Sequence, residues 1–565
     1  MCITVAGWHA LPPIDDPLEL IRGALAGRRA WLVGGAVRDR LLGRPTGDLD
    51  VVLDGEPREA ARALANMARA AAFSLSEEYG GWRVVARDGA WQVDFERLRG
   101  ASLEEDLALR DFTVNAIAEP LGEPGARVER VSTESVPVST EAGGHGPKAR
   151  IPVSTEAGGH GPKARIPVST EAGGHGPKAR IPVSASELID PLGGAEDLAR
   201  RRLRETGPRA FADDPLRVLR LVRLAVELDL EADADTCAHA RARAAALGEV
   251  APERIFMELS RIIDAPRAVA GLELMTEVGA TAVVLPELEA LRGVTQSHYH
   301  HLDVYGHTLE VLQQVIALQE EPAAARGGWG DLGLGRGGDL YREAIAGLLA
   351  EPLADGLTRG GALRWGALLH DAAKPLTREV RPTDGRVTFI GHDARGAQLA
   401  GEVLAGLRAS ARLQTHVAAL VRNHLRLGFL VHDPQPLARR TVFAYLRASE
   451  PVEVDVTLLS VADRLATRGE RSREAIEAHL DLARGMLADA IGWRVEGGPP
   501  RPLLRGDELA RELGIAAGPR LGQLLEELLR AQYAGEVSTR EEALMLLREG
   551  LGAQDERMRG PLGGQ

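Results

Sequence analysis

The chain has 565 residues, 44% of them hydrophobic and only 4% aromatic, with a formal net charge of −13; at roughly 150 residues per domain it is too long for one core and reads as a modular, largely helical protein. Two cysteines, Cys2 and Cys237, exclude a disulfide framework and suit a reducing cytoplasm. The N-terminus lacks a basic segment followed by an apolar one, so no signal peptide is expected; no apolar run of 18 residues exists to cross a membrane; and the acidic balance leaves any nucleic-acid contact to local basic patches.

From 15 to 120, short apolar runs (WLVGG, DVVL, WRVVA, WQVDF) alternate with helix-like stretches such as EAARALANMARAAA, the pattern of a compact α/β or α+β domain. Residues 136 to 180 are three nearly identical 15-residue units, VPVSTEAGGHGPKAR followed twice by IPVSTEAGGHGPKAR. Rich in Gly, Pro and small polar residues, they cannot bury a core and read as a disordered insertion over about 132–185, a loop-tip tandem duplication. His145, His160 and His175, one per unit, have no neighbouring ligands that would make them a metal site. From 187 onward the text is helical (LRVLRLVRLAVEL, PERIFMELSRIID, HTLEVLQQVIAL), broken by the Gly-rich loop RGGWGDLGLGRGGD at 326–339, and PPRPLLRGDEL opens a last small module. The blocks expected are 15–205, 206–290, 291–490 and 495–552.

In TGDLDVVLDG, Asp48 and Asp50 stand two apart on a strand, so both carboxylates point to one face with Cα atoms about 6.6 Å apart. Alone, such a pair reads as a turn acid and a solvated strand acid. Its surroundings favour a cation site. Upstream, WLVGGAVRDRLLG is an apolar strand, a Gly-Gly turn that lets backbone N–H groups approach a phosphate, and a helix with Arg38 and Asp39. Downstream, WQVDFERL puts a third carboxylate, Asp94, between Val93 and Phe95 on another strand. Together these form a layout for two-metal phosphoryl transfer, since Mg²⁺ takes one or two carboxylates plus substrate phosphates.

GGAVRD and GDLD, then RDFTVNAIA (110–118), LIDPLGG (188–194) and DDPLRVLR (213–220) resemble, in order, the motifs of class II tRNA nucleotidyltransferases and bacterial poly(A) polymerases. The resemblance implies an α+β, polymerase-β-like head, an all-α RNA-binding neck and a small helical tail, GIAAGPRLGQLLEELLRAQ being similar to the C-terminal segment of longer members. It implies two Mg²⁺ on Asp48 and Asp50, with Asp94 orienting the attacking oxygen. Gly34, Gly35, Arg38 and Asp39 would handle the triphosphate, and Arg110, Asp111 and Asn115 the ribose. Asp214 and Arg217, with Arg220, would select the base of CTP or ATP. One helical turn apart, a carboxylate and a guanidinium can read the amine and adjacent acceptor that cytosine and adenine share. Read locally, Asp214-Pro215 is equally an N-cap with Pro at the first helical position. Arg200, Arg201, Arg202, Arg204, Arg220 and Arg223 supply basic character for tRNA.

Three departures from the family pattern stand out: Asp213 replaces Glu, Leu109 replaces the first Arg of Arg-Arg-Asp, and FERLRGASLEEDL crosses from the third-acid strand to the next helix within Leu98 to Ser102. In the family that short gap goes with enzymes that add two C residues and leave the terminal A to a companion enzyme. Poly(A) addition is the alternative within the class.

His307, His370-Asp371, His392, His424 and Asp463 follow in the order H, HD, H, H, D along the helical block. Imidazoles and carboxylates in that number suit a mono- or binuclear site for a transition metal or Mg²⁺ that activates water. The set resembles the HD phosphohydrolase domain, which implies phosphatase or 2′,3′-cyclic phosphodiesterase activity; a chain that is mainly such a hydrolase, with the head holding RNA, is the reading from another class. His298, His300 and His301, nearby in sequence, are expected either to support these ligands or to be polar surface.

Overall fold

The computed structural model describes residues 17–25, 27–75, 80–121, 188–296, 302–320, 338–467 and 472–558. The repeats with their three histidines, the Gly-rich stretch before Gly338, and His298, His300 and His301 lie outside the described residues. The chain divides into two compact units between Leu198 and Ala199.

The first unit is α+β. Its elements are α1 (Pro17–Ala24), β1 (Ala30–Val33), α2 (Gly35–Leu41), β2 (Asp48–Leu53), α3 (Pro57–Ala68), β3 (Ala71–Ser74), β4 (Trp82–Val85), β5 (Gln92–Arg97), α4 (Leu103–Ala108) and β6 (Ala118–Pro120). The strands form one mixed sheet in the order β3-β4-β5-β2-β1-β6, with β2 and β5 parallel and the remaining pairs antiparallel. One face is sealed by Trp31, Val33, Val52, Ala116 and Ala118 against Leu103 and Leu107 of α4. The apolar stripe Ala60, Ala61 and Leu64 of α3 is buried at helical spacing. Asp48, Asp50 and Val52 share the face on which Val52 enters this core. β2 is therefore core at its end and polar at its start.

The second unit is almost entirely helical. Helices Arg217–Leu228, Pro252–Asp264 and Ala268–Glu277 pack together, the first burying nine of its twelve residues. Helix Arg359–Leu369 is buried along its whole length, among Val304–Glu320, Ala411–Asn423 and Glu453–Ala466. A tail core of Leu504, Leu509, Leu521, Leu528 and Leu547 docks on helix Arg439–Ser449, where Phe443, Trp493 and Tyr533 form an aromatic cluster and Arg440 bonds Glu527 and Glu536. No described helix is long and apolar enough to cross a membrane.

Two local expectations change. Helix Arg217–Leu228 begins two residues after Pro215, so Pro215 is not its first residue. Arg223 is not surface basic character: it is buried and spent on Glu227 at 3.0 Å and Glu258 at 2.6 Å, because a core guanidinium needs compensating carboxylates. Arg201 is likewise paired, with Asp229.

Candidate active site and metal centre

Strand register assembles the acids. Val33 pairs with Asp50, Asp50 with Asp94 across the parallel β2–β5 pair, and Asp94 with Arg83 on β4. Lateral partners share a face, so Arg83, Asp94 and Asp50 form a row across three strands, with Asp48 and its partner Gln92 one step along. Gln92 Nε2 donates to Asp48 Oδ1 at 2.9 Å. Arg83 Nε and Nη2 donate to Asp94 Oδ1 and Oδ2, both at 2.7 Å. Burial pushes the Asp50 carboxyl up to about 6, Arg110 opposing and Asp48 and Asp94 adding. A carboxylate so placed fits a divalent cation, which converts the repulsion into ligation.

Gly34 follows β1 with φ +72, and a Cβ there would lie 3.0 Å from both Asp50 Oδ2 and Arg110 Nη1. Only glycine both adopts that backbone and leaves the acid room. The two motifs on either side of it form one network. Arg38 grips Asp39 through Nε (2.9 Å) and Nη2 (3.0 Å) and donates through Nη1 to Asn115 Oδ1 (2.7 Å). Asn115 Nδ2 in turn donates to Asp111 Oδ1 (2.9 Å), which also accepts from Phe112 N. Arg110 is held by the buried Asp106. In LIDPLGG, Asp190 caps the helix Gly194–Ala199 by accepting from Gly194 N and Ala195 N.

The passage from β5 to α4 is a tight turn. Arg99 N donates to Asp106 Oδ1 (3.0 Å), Ala101 N to Glu105 Oε2 (2.7 Å), and Ser102 caps α4 through Glu105 N. Gly100 has φ +103, and a Cβ on it would come within 2.6 Å of Glu105 Oε2.

In the second unit, Asp214 is doubly engaged: Oδ1 accepts from Leu216 N (3.1 Å) and Oδ2 from Arg254 Nη2 (2.8 Å). It is thus a turn acid and an ion-pair partner together. Arg217 Nη1 donates to Ala210 O (3.1 Å), and Arg220, half-buried, follows one turn later.

All six residues of the H, HD, H, H, D series converge. His307 Nε2 is 3.0 Å from Asp463 Oδ1 and 3.7 Å from Asp371 Oδ2. His370 Nε2 is 3.1 Å from Asp371 Oδ2, and His392 Nε2 is 3.4 Å from Asp371 Oδ1 and 3.3 Å from His424 Nε2. His370, His392 and His424 each donate Nδ1–H to the carbonyl three residues back, Ala367, Phe389 and Val421, at 2.7–2.8 Å. Those bonds select the tautomer that turns Nε2 lone pairs inward, as metal ligation requires. Two ligand groups result, His307-His370-Asp371 and Asp371-His392-His424, with Asp371 in both. Burial, and then the neighbouring His370, pull His424 down to about 4, so it is a neutral donor. Burial works against ionised Asp371, yet His370 and Lys374 hold its carboxyl well below the usual range. Two imidazoles and one carboxylate in each group fit a transition metal at either position better than the oxygen-seeking Mg²⁺.

Sequence reasoning missed four residues of these sites: Arg83, Gln92, Arg254 and Lys374. Lys374 Nζ lies 2.7 Å from Asp371 Oδ2 and 2.6 Å from Gln296 Oε1. Its place one turn after His370-Asp371 is a signal that could have found it. The other three depend on cross-strand or cross-helix partners that spacing does not encode.

Residues 30–124 match the Poly A polymerase head domain, 229–291 the probable RNA and SrmB-binding site of polymerase A, and 304–468 the HD domain. A CCA-adding enzyme of Thermotoga maritima, solved in complex with tRNA, superposes with a TM-score of 0.53 at 16% identity, over 96% of each chain, a likeness of fold. An A-adding tRNA nucleotidyltransferase of Deinococcus radiodurans is 33% identical over 519 residues, 91% of this chain and 94% of its own. A CC-adding tRNA nucleotidyltransferase of Thermus thermophilus is 32% identical over 524 residues, 92% and 93% of the two chains. With relatives of that identity matched along nine-tenths of both lengths, the chain belongs to the tRNA nucleotidyltransferase family.

Proposed function

We propose that this protein adds CMP to the 3′ end of tRNA without a template, stops after the second C, and leaves the terminal A to a companion enzyme. The observation that carries the stopping point is the turn from Leu98 to Ser102. Asp106 and Glu105 accept from Arg99 N and Ala101 N, and Ser102 caps the helix that follows, so the gap is a tight turn rather than a loop long enough to reorganise between C and A addition. Sequence identity does not choose, since the A-adding and CC-adding relatives lie at 33% and 32%.

In this reading Asp48 and Asp50 hold two Mg²⁺, which when bound lower the charge on the triphosphate and activate the tRNA 3′-hydroxyl. Gln92 fixes the Asp48 rotamer. The Arg38-Asn115-Asp111 network, with Asp39, Gly34, Gly35 and Arg110, orients the nucleotide triphosphate and ribose. Asp214 and Arg217, with Arg220 beside them, select cytosine over uracil by accepting from the amine and donating to the ring acceptor. Arg254 holds Asp214 in place through its 2.8 Å ion pair. Residues 15–205 are the head, 206–290 the neck, 291–490 the HD domain and 495–552 the tail.

The test offers tRNAs ending before the first C, after CC and after CCA, with CTP or ATP separately, and reads product lengths. Two nucleotides from CTP and none from ATP are expected. Addition of A to the CC end would overturn the CC-only reading, and an unlimited A ladder would mark a poly(A) polymerase.

A second reading concerns the HD centre. The shared Asp371 between two histidine pairs supports hydrolysis of phosphate esters, phosphomonoesters or 2′,3′-cyclic phosphates of damaged RNA ends, by metal-activated water. Release of phosphate from a 3′-phosphorylated or 2′,3′-cyclic oligonucleotide in Mn²⁺, Ni²⁺ or Mg²⁺ tests it.

A further inference from the structure

Two of the HD ligands, Asp371 and His392, are joined by a hairpin whose outer half the hydrolytic chemistry leaves unused. Both of its legs are tied to the metal centre. Lys374, at its start, lies 2.7 Å from Asp371 Oδ2, and the carbonyl of Phe389, at its end, accepts His392 Nδ1–H at 2.7 Å. Between them Glu379–Val380 pairs with Val387–Thr388, and Arg381 N to Arg386 O at 2.8 Å closes the turn. Four residues of extended chain set that turn about 13 Å beyond Thr377.

Leu376, Val380 and Ile390 are 61%, 51% and 79% exposed, three of the twelve large hydrophobic side chains exposed among the described residues. Apolar surface gathered in one short stretch and left in water marks an interaction site. Lateral strand partners share a face, so Val380 and Val387 lie together, and Phe389, two residues on, continues that face down to Lys374, whose Nζ is 5.4 Å from the centre of its ring. An apolar strip thus runs from the turn to the metal centre. The hairpin also leans basic in an acidic chain, with Arg378, Arg381 and Arg386 against Glu379 and Asp384. Arg381 and Arg386 both face Asp384, at 3.3 and 3.5 Å, whereas Arg378 is exposed and has no hydrogen-bond or ion-pair partner among the described residues.

Single-stranded RNA has the complementary make-up, bases whose apolar faces pack on side chains and a phosphate between each pair of them. A protein partner would match the apolar strip, but it has no use for a strip that leads into a phosphate-handling centre. We infer that the 376–390 hairpin is the platform on which the HD centre holds the single-stranded 3′ end of its RNA substrate, the last bases against Val380, Val387 and Phe389 and a backbone phosphate on Arg378. This rests on the hydrolytic reading given above and sharpens it: the substrate is an RNA end rather than a free nucleotide.

Hydrolysis in Mn²⁺ of a short oligoribonucleotide ending in a 2′,3′-cyclic phosphate, compared with that of 2′,3′-cyclic CMP, tests this inference in the full chain and its Arg378→Ala and Val380→Ser variants. Both side chains are exposed, so the melting temperature should not change. Each substitution should raise KM for the oligonucleotide about tenfold, the order of one lost stacking or charge-assisted contact, with kcat/KM for the cyclic mononucleotide changed less than twofold. Arg378→Ala should also flatten the dependence of log KM on log salt by about 0.7, one phosphate contact on a single strand, and Val380→Ser should leave that slope alone. Independently of turnover, an oligoribonucleotide with 4-thiouridine next to its 3′-phosphate should cross-link on irradiation to a peptide within 376–390. Equal losses on both substrates, or cross-links confined to other peptides, would overturn the inference. So would lowered CMP incorporation in the variants, which would assign the hairpin to the tRNA used by the head, or loss of self-association in Val380→Ser, which would mark the strip as a contact between copies. Absence of hydrolysis of either substrate by the unaltered protein would instead overturn the hydrolytic reading itself, and the cross-link would then decide alone whether RNA lies on the hairpin.

Discussion

Asp371 stands between two ligand groups: its Oδ1 lies 3.4 Å from His392 Nε2 while its Oδ2 faces His370 and His307. One carboxylate thus ties both halves of the HD centre. Asp371→Asn should weaken binding of both metal equivalents, each by at least about tenfold, whereas His424→Ala should weaken only one, since outer groups alone are worth that much. Equilibrium dialysis against Mn²⁺ with metal analysis counts the equivalents. Two equivalents retained in Asp371→Asn would remove the bridging role.

The head and HD centres draw on separate residues. Asp48→Ala is therefore expected to lower CMP incorporation by on the order of 10³-fold, the several kcal/mol a metal contributes, with hydrolysis of a 2′,3′-cyclic phosphate unchanged. Incorporation unaffected by the substitution would sink the metal assignment at Asp48.

Gly100 adopts φ +103 with Glu105 2.6 Å from the place of a Cβ. Gly100→Ala should raise local opening of the 98–102 turn, seen as hydrogen exchange at the Ala101 amide about tenfold faster, through about 1–2 kcal/mol of backbone and contact strain. Unchanged exchange would mean that the turn accepts a side chain and is not the tight element described.

His479 is buried and its Nε2 lies 3.2 Å from Ser460 Oγ; burial first, then Arg464, pull its pKa down to about 4. The unfolded chain takes up a proton near pH 6.5 and the folded chain does not, so this histidine makes stability fall as pH drops from 6.5 towards 4. The loss is roughly 2–3 kcal/mol at pH 4. In urea titrations at pH 7 and pH 5, His479→Leu should show a shallower dependence on pH than the unaltered protein. An identical dependence would show that His479 is not the group responsible.

Much was legible in one dimension. Two acids at strand spacing behind a Gly-Gly turn announced a phosphate-handling head, because alternation along a strand is a local property and glycine at positive φ is a local need. The order H, HD, H, H, D announced a metal centre, since imidazoles and carboxylates are identifiable as ligands wherever they fall. The few residues from Leu98 to Ser102 could be counted directly. Tertiary structure decided the partnerships. That Asp94 faces Arg83, that Gln92 steadies Asp48 and that Arg254 holds Asp214 follow from strand register and helix packing, which depend on residues 11 to 44 positions apart. Likewise only the fold made Arg223 a core ion pair and Asp371 a shared ligand: a side chain's chemistry is written in its residue type, but its burial and its neighbours' charges are set by the elements packed around it.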